Sequence, residues 1–392
     1  MSGLYTQRRL QIIFGVTLMG VMGVSLISPV FPSMIEHFEI TDQQIGLIVT
    51  AYTFPGVVVS VLIGVLADRY TRKGVLVPLL LLFSVAGVAQ AAAPTFQTLL
   101  ALRVLQGIGG AGLVTLSTTL IGDYYDGAER GAAMGLNASV LSIATAAYPI
   151  IGGLLGTIGW YAPFGLYAIA FPIAVWALFG LSEPASAGAV GIREYLKQLL
   201  SIATAGETIA GSLAAFLAFV LLYGGIITYI PVLVAGRFGS SSAIIGGLLS
   251  AMSLCIALIS SQTGRLIERY SERTLFTVGF LGYGGGLALI PFAGSPVLLL
   301  LPLALFGVGH GLVVPTVQVF MTKLAPAQFR GATMSLYNMA LRLGQTVGPL
   351  LFGVVYTVGV DGVFLVGGAI GAGAFVLFAS IFRAGIATAT TT

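Results

Sequence analysis

Charge is scarce in this chain. Of 392 residues only 8% are Asp, Glu, Lys or Arg, against roughly 25% in an ordinary soluble domain, which excludes a solvated globular fold. A lone cysteine, Cys255, excludes an intramolecular disulfide. The two histidines, His37 and His310, provide no His-rich or His/Cys metal cluster. No G-x-x-x-x-G-K-[ST] segment cradles a nucleotide, so ATP cannot drive this chain from within. No stretch could fold as a soluble catalytic domain. An enzyme is therefore not expected, and neither is a cofactor.

What fills the space is apolar: 57% of residues are hydrophobic and the mean hydropathy is +1.03. Stretches long enough to cross a hydrocarbon core of about 30 Å as helices recur near 11–36, 43–67, 74–93, 97–121, 131–156, 160–181, 207–236, 243–266, 274–293, 296–320, 330–356 and 360–382. The first follows a basic flank as a signal peptide would, but it runs too long and lacks a small-x-small cleavage site, so it is read as a retained span. Twelve spans put both termini on one side. Alternate loops on that side hold Arg8, Arg9, Arg69, Arg72, Lys73, Arg130, Arg193, Lys197, Arg265, Arg269, Arg273, Lys323, Arg330 and Arg383, and the opposite loops hold only Arg237. The basic side marks the cytoplasm. The net charge of +4 is thus a topology signal and gives no support to a nucleic-acid partner.

The chain repeats itself at an offset of two hundred. Residues 64–73, GVLADRYTRK, match 264–273, GRLIERYSER; Gly107 and Gly109 match Gly307 and Gly309, Arg130-Gly131-Ala132 matches Arg330-Gly331-Ala332, and Pro149 matches Pro349. Constant phase over four blocks means two homologous six-helix halves. The reading is an all-α integral membrane protein with an N-terminal bundle at 1–181, a linker at 182–206 and a C-terminal bundle at 207–392. In the linker Ile192, Leu196 and Leu199 oppose Arg193, Glu194 and Lys197, the spacing of a short helix lying on the cytoplasmic membrane surface.

Two motifs mislead. Residues 107–112, GIGGAG, fit G-x-G-x-x-G but sit inside an apolar span, with no preceding strand and no acid about 20 positions on; close helix packing explains them better. Asn137-Ala138-Ser139 is a sequon only in letters, because it lies within the fifth span.

All thirteen acids fall in loops or at span ends. Arg103, Arg342 and His310 are the charged or titratable side chains left inside. Arg342 lies twelve residues past Arg330, about 18 Å along a helix at 1.5 Å per residue, and Asn338, Arg342 and Gln345 at i, i+4, i+7 make one polar stripe. A helix-centre arginine costs about 2.5–3.5 kcal/mol to insert, so it faces a partner or water: either an anionic substrate group, or backbone carbonyls and amide side chains. His310 has the only deep side chain with an unperturbed pKa near neutrality, and is either a proton-coupling group or a neutral histidine bridging helices. Arg103 cannot release its proton; it acts electrostatically or ties the fourth span to its neighbours.

Gly64, Leu66, Ala67, Asp68, Arg69, Arg72 and Lys73 resemble the loop 2-3 signature of the major facilitator superfamily, with Thr71 where the family usually has Gly. Arg103, Gln106, Gly107 and Gly109 resemble the arginine motif of its proton-coupled members. Pro149, Gly152 and Gly153 are similar to the antiporter element, with Tyr148 in place of a Gly before the proline; the second half keeps Gly348-Pro349 and Gly353. Pro29 and Pro32 fit the drug-efflux branch. The resemblance spans the chain and implies the twelve-helix major facilitator fold with two pseudo-symmetric bundles. It further implies that Asp68 sits against the start of the eleventh helix and that Arg72 pairs with Asp123, with Gly64, Arg69, Glu268, Pro149, Gly152, Gly153 and Pro349 sharing the conformational gating. It makes the first, fourth, seventh and tenth helices line the cavity, with Ser25, Ser28, Met22, Gln106, Tyr223, Tyr229 and Gln318 beside Arg342, Asn338 and Gln345 as substrate contacts. His310 and Arg103 then carry proton coupling. The implied function is a monomeric drug:proton antiporter of the cytoplasmic membrane, both termini cytoplasmic, with amphipathic small molecules, protons and membrane lipids as partners. Alternatives are an exporter or flippase of anionic lipids or organic anions, a nutrient importer of the same fold, or a transport-dead sensor or scaffold.

Overall fold

The protein's computed structural model describes residues 7–69, 71–183, 203–324 and 330–389, and for residues 61, 62, 64, 65, 67–69, 330–332 and 383–389 the backbone only. The expected surface helix around Ile192, Leu196 and Leu199 lies outside the described residues. In chain order run α1 Arg8–Phe38, α2 Gly46–Arg69, α3 Arg72–Ala92, α4 Phe96–Tyr124, α5 Gly127–Gly156, α6 Ala162–Gly180, α7 Gly206–Phe238, α8 Ser242–Ile267, α9 Glu272–Phe292, α10 Leu300–Leu324, α11 Arg330–Val355 and α12 Val360–Ala389. No strand occurs among the described residues. Ten of these helices are long and apolar enough to cross a membrane, and α2 contributes the shorter apolar stretch Gly46–Ser60. α11 carries the Asn338–Arg342–Gln345 stripe that dilutes its hydropathy. The tenth span starts at Leu300 rather than 296, because residues 296–299 form a turn in which the Leu299 and Leu300 amides donate to the Pro296 and Val297 carbonyls.

Contacts group the chain into two compact units, Met1–Val190 with Ser241–Gly247, and Gly191–Ser240 with Leu248–Thr392. The two-hundred-residue offset is visible in each unit's internal geometry. Thr71 caps α3 by accepting the Gly74 amide at 2.9 Å, and Ser271 caps α9 by accepting the Thr274 amide at 3.2 Å; each satisfies an orphan donor of the first turn. Both helices end in a 3-10 turn, Gln90–Ala92 and Ile290–Phe292. A Cβ on Gly109 would meet the Phe83 amide nitrogen at 2.5 Å and the Leu79 carbonyl oxygen at 2.7 Å. One on Gly309 would meet the Tyr283 nitrogen at 3.0 Å and the Gly279 oxygen at 2.6 Å. The same backbone contact, two hundred residues apart, lets α3 press on α4 and α9 on α10. In a bilayer, where apolar burial drives little helix association, such close approach supplies much of the cohesion.

Candidate functional site

In the first unit the polar groups converge on a fully buried arginine. Arg103, 0% exposed, projects from α4 and donates through one terminal nitrogen to the Gly23 carbonyl of α1 and to Gln106 Oε1, both at 2.8 Å. Each acceptor has a second donor: the Tyr167 hydroxyl reaches the Gly23 carbonyl at 3.0 Å and Gln90 Nε2 reaches Gln106 Oε1 at 2.9 Å. The guanidinium carbon lies 5.6 Å from the ring centres of both Tyr52 and Phe164, within cation–π range. Its Nε and other terminal nitrogen have no hydrogen-bond partner. Nearby Thr17 on α1, Ser117 on α4 and Asn137 on α5 form a buried triad, with Thr17 Oγ1 2.9 Å from Ser117 Oγ and 2.7 Å from Asn137 Oδ1. Asn137 is thus enclosed in the helix packing and is no glycan acceptor. Gln106 and Met22, expected to contact substrate, are 0% and 2% exposed; Gln106 spends its oxygen on Arg103 and Gln90.

The second unit is built differently. His310 on α10 is buried, its Nδ1 2.8 Å from the Tyr283 hydroxyl of α9, with Phe219 edge-on at 5.5 Å and Phe306 stacked at 6.3 Å between ring centres. Phe219 leads to Tyr223, 6.1 Å away, in a π-helical turn over Leu221–Ile227 of α7; such turns re-aim side chains and recur at functional sites. Tyr223 interacts electrostatically with the Arg342 guanidinium of α11. Arg342, Gln345 and Tyr223 are half-buried, and Asn338 and Gln318 are exposed. Tyr229 is 0% exposed and stacks on Tyr356 at 5.3 Å, which makes it a packing residue here. Sequence reasoning missed Gln90, Tyr167 and Tyr283 as partners; the repeat was the available signal for Tyr283, because Phe83 occupies the matching place.

A polar, accessible stripe beside an aromatic run, on apolar helices, suits contact with a solute that is itself part polar and part apolar. The Major Facilitator Superfamily family model matches residues 13–249 and 230–389. The chain belongs to the Major Facilitator Superfamily. This superfamily member is 27% identical over 360 residues to the bacillibactin exporter of Bacillus subtilis (strain 168), covering 86% of this chain and 87% of the relative. It is 25% identical over 354 residues to the class B tetracycline resistance protein of Escherichia coli, covering 87% and 86%. The crystal structure of a mutant of the nucleoside transporter NupG superposes with a TM-score of 0.82 at 14% identity, covering 96% of this chain and all of that one, which fixes the fold. By family and fold the chain is a multi-pass membrane transporter rather than an enzyme.

The superfamily's loop elements have definite places. Arg72 Nε lies 3.1 Å from Asp123 Oδ2, joining the start of α3 to the end of α4, and Lys73 Nζ donates to the Leu181 carbonyl at 3.4 Å. Of Gly64, Asp68 and Arg69 only the helical backbone is described, so the expected contact of Asp68 lies outside the described residues. Glu268 is exposed in the turn after α8. Pro149 and Pro349 are buried within α5 and α11. A Cβ on Gly152 would sit 1.7 Å from the Leu26 carbonyl oxygen, so only glycine permits α1 and α5 to touch there. Gly153 closes likewise on the Ser242 carbonyl, 2.4 Å away, at the start of α8 that groups with this unit. Tyr148, the departure from the antiporter element, donates to the Leu18 carbonyl at 3.0 Å and ties the same two helices one turn away.

Proposed function

We propose that this chain is a proton-coupled exporter of amphipathic small molecules, working by alternating access in the cytoplasmic membrane with both termini cytoplasmic. The observation that carries the proposal is the near-full-length relation to the bacillibactin exporter; the antiporter-type element at Pro149, Gly152 and Gly153 supports it. Substrate contacts are assigned to Tyr223, Asn338, Arg342, Gln345 and Gln318, the accessible candidates, and proton coupling to His310 with Arg103 acting electrostatically. Gating falls to Arg72 and Asp123. A second reading, export of anionic lipids or organic anions, is favoured by the accessible Arg342 in a membrane interior without carboxylates.

Everted membrane vesicles test the proposal. Acidifying the lumen is expected to drive uptake of amphipathic dyes, and an uncoupler to abolish it; uptake indifferent to the uncoupler refutes proton coupling. Matched cationic and anionic dyes assayed with Arg342→Ala separate the two readings. Loss of a charge-assisted contact of about 1.5–3 kcal/mol weakens anion binding about tenfold or more and spares cations if the second reading holds.

A further inference from the structure

A cavity of about 530 Å³ opens at the end of the first unit where α1 and α3 finish and α4 begins, lined by His37, Phe38, Glu39, Gln44, Thr95, Phe96 and neighbours. It lies at the opposite end of α3 from Arg72 and uses none of the residues assigned to transport. Its size falls in the range of small-molecule sites.

Glu39 is the feature that makes it more than a surface dent. It is the only described non-glycine residue with positive φ, at 51°, and it ends α1 through a C-cap in which the Ile40 amide donates to the Ile35 carbonyl at 3.2 Å. Two hundred residues on, α7 also ends in a left-handed turn, one residue wider: the Ser240 amide donates to the Val234 carbonyl at 3.4 Å, and the left-handed position is Gly239, φ 60°. Glycine is the residue this conformation favours. The first half therefore holds a carboxylate in a strained place where its own duplicate uses glycine. Among the described residues neither an ion pair nor a side-chain hydrogen bond engages that carboxylate.

The surroundings choose the sign and shape of a ligand. Residues 36–42 include Glu36, Glu39 and Asp42 and no lysine or arginine. The amino end of α4 adds a partial positive charge of about half a unit, but the carboxyl end of α1 offsets it with a similar negative one, so the Glu39 charge decides the field. Two of the lining side chains are aromatic, Phe38 and Phe96, 6.1 Å apart, and Trp160 stands behind them, 5.0 Å from Phe38 and stacked on the lining His37 at 4.6 Å. A carboxylate beside aromatic rings is the chemistry that recognises an organic ammonium. We propose that this cavity binds a quaternary or primary ammonium group, supplied either by a free amine or by a lipid headgroup, with Glu39 as its counter-ion.

The chain has two tryptophans, so Trp176→Phe leaves Trp160 as a local fluorophore. In nanodiscs of phosphatidylglycerol, choline is expected to change Trp160 emission saturably, while 3,3-dimethylbutan-1-ol, its uncharged carbon isostere, has no effect at the same concentration. Glu39→Gly is expected to raise the melting temperature by relieving the backbone and yet weaken choline binding at least tenfold, with Glu39→Gln weakening it similarly. A choline response that is absent, unsaturable, matched by the isostere, or unchanged in both variants overturns the proposal. Repeating the titration in phosphatidylcholine nanodiscs identifies the source: a site that takes headgroups loses its response to added choline there, whereas a site for free amines keeps it. Dye uptake by vesicles is read separately, so this site and the transport reading can each fail alone.

Discussion

Exchanging the charges of Arg72 and Asp123 is expected to leave the protein intact where either single reversal damages it, because the second unit already contains the exchanged version. Two hundred residues on, Glu272 pairs with Lys323: acid stands where base stood and base where acid stood, between the same two helices. The Arg72–Asp123 contact is 3.1 Å long, with side chains 17% and 29% exposed. At an effective dielectric of about 20, unit charges at that distance interact by about 5 kcal/mol. Partial exposure and the entropy of two long side chains reduce the net value to about 1 kcal/mol. Arg72→Glu alone loses that term and opposes two carboxylates, a total of about 2 kcal/mol, or about 4–8 °C of melting temperature for a unit of this size. Asp123→Lys alone is expected to do the same with two cations. Arg72→Glu with Asp123→Lys should recover all but about 0.5 kcal/mol, since a double-mutant cycle isolates the pair term. Thermal unfolding of the purified protein measures all four corners, and Glu272→Arg with Lys323→Asp gives the mirrored cycle. A double variant no more stable than the worse single one refutes the claim that charge complementarity, not residue identity, is what the site needs.

Arg103→Met is expected to fold with a melting temperature within about 4 °C of the starting protein: the Gly23 carbonyl and Gln106 Oε1 keep their second donors, and removing a buried charge with unpartnered nitrogens offsets the bonds lost, as replacing buried ionic groups by apolar ones often does. A collapse in thermal unfolding would show instead that the arginine holds α1 to α4. His310→Gln retains a side-chain partner for the Tyr283 hydroxyl but cannot titrate, so dye uptake should lose its dependence on pH while binding persists; an unaltered pH profile removes His310 from proton coupling.

The helical spans and the repeat could be read from the chain because each depends on residue types at a fixed spacing. Pro296 moved the start of α10 for an equally local reason. What could not be read was which face of a helix meets which neighbour. In a soluble protein the polar face announces itself, but here lipid-facing and core-facing sides are both apolar, and the pattern has no contrast. Gln106 and Gln345 look alike in sequence as amides among aliphatic residues, yet one is sealed against Arg103 and the other half-exposed on α11. Tyr223 and Tyr229 sit six residues apart in α7, and the π turn between them breaks the 3.6-residue phase that would predict their relative directions.

The two units also show how duplication can divide labour without altering the backbone. Glycines 109 and 309 keep one helix contact and Thr71 and Ser271 one cap, so the scaffold positions are under the same geometric demand. The chemistry between them differs: in the first unit Arg103, Gln106 and Gln90 form a buried network, while in the second Arg342 and Gln345 are half-buried and Asn338 is exposed. Gln106 Oε1 already accepts from two donors, so a substrate contact formed there must replace one lost. A half-exposed side chain still presents surface that a ligand can cover. On that ground, selectivity for cargo should respond to substitutions on α7 and α11 and be nearly deaf to conservative ones around Arg103.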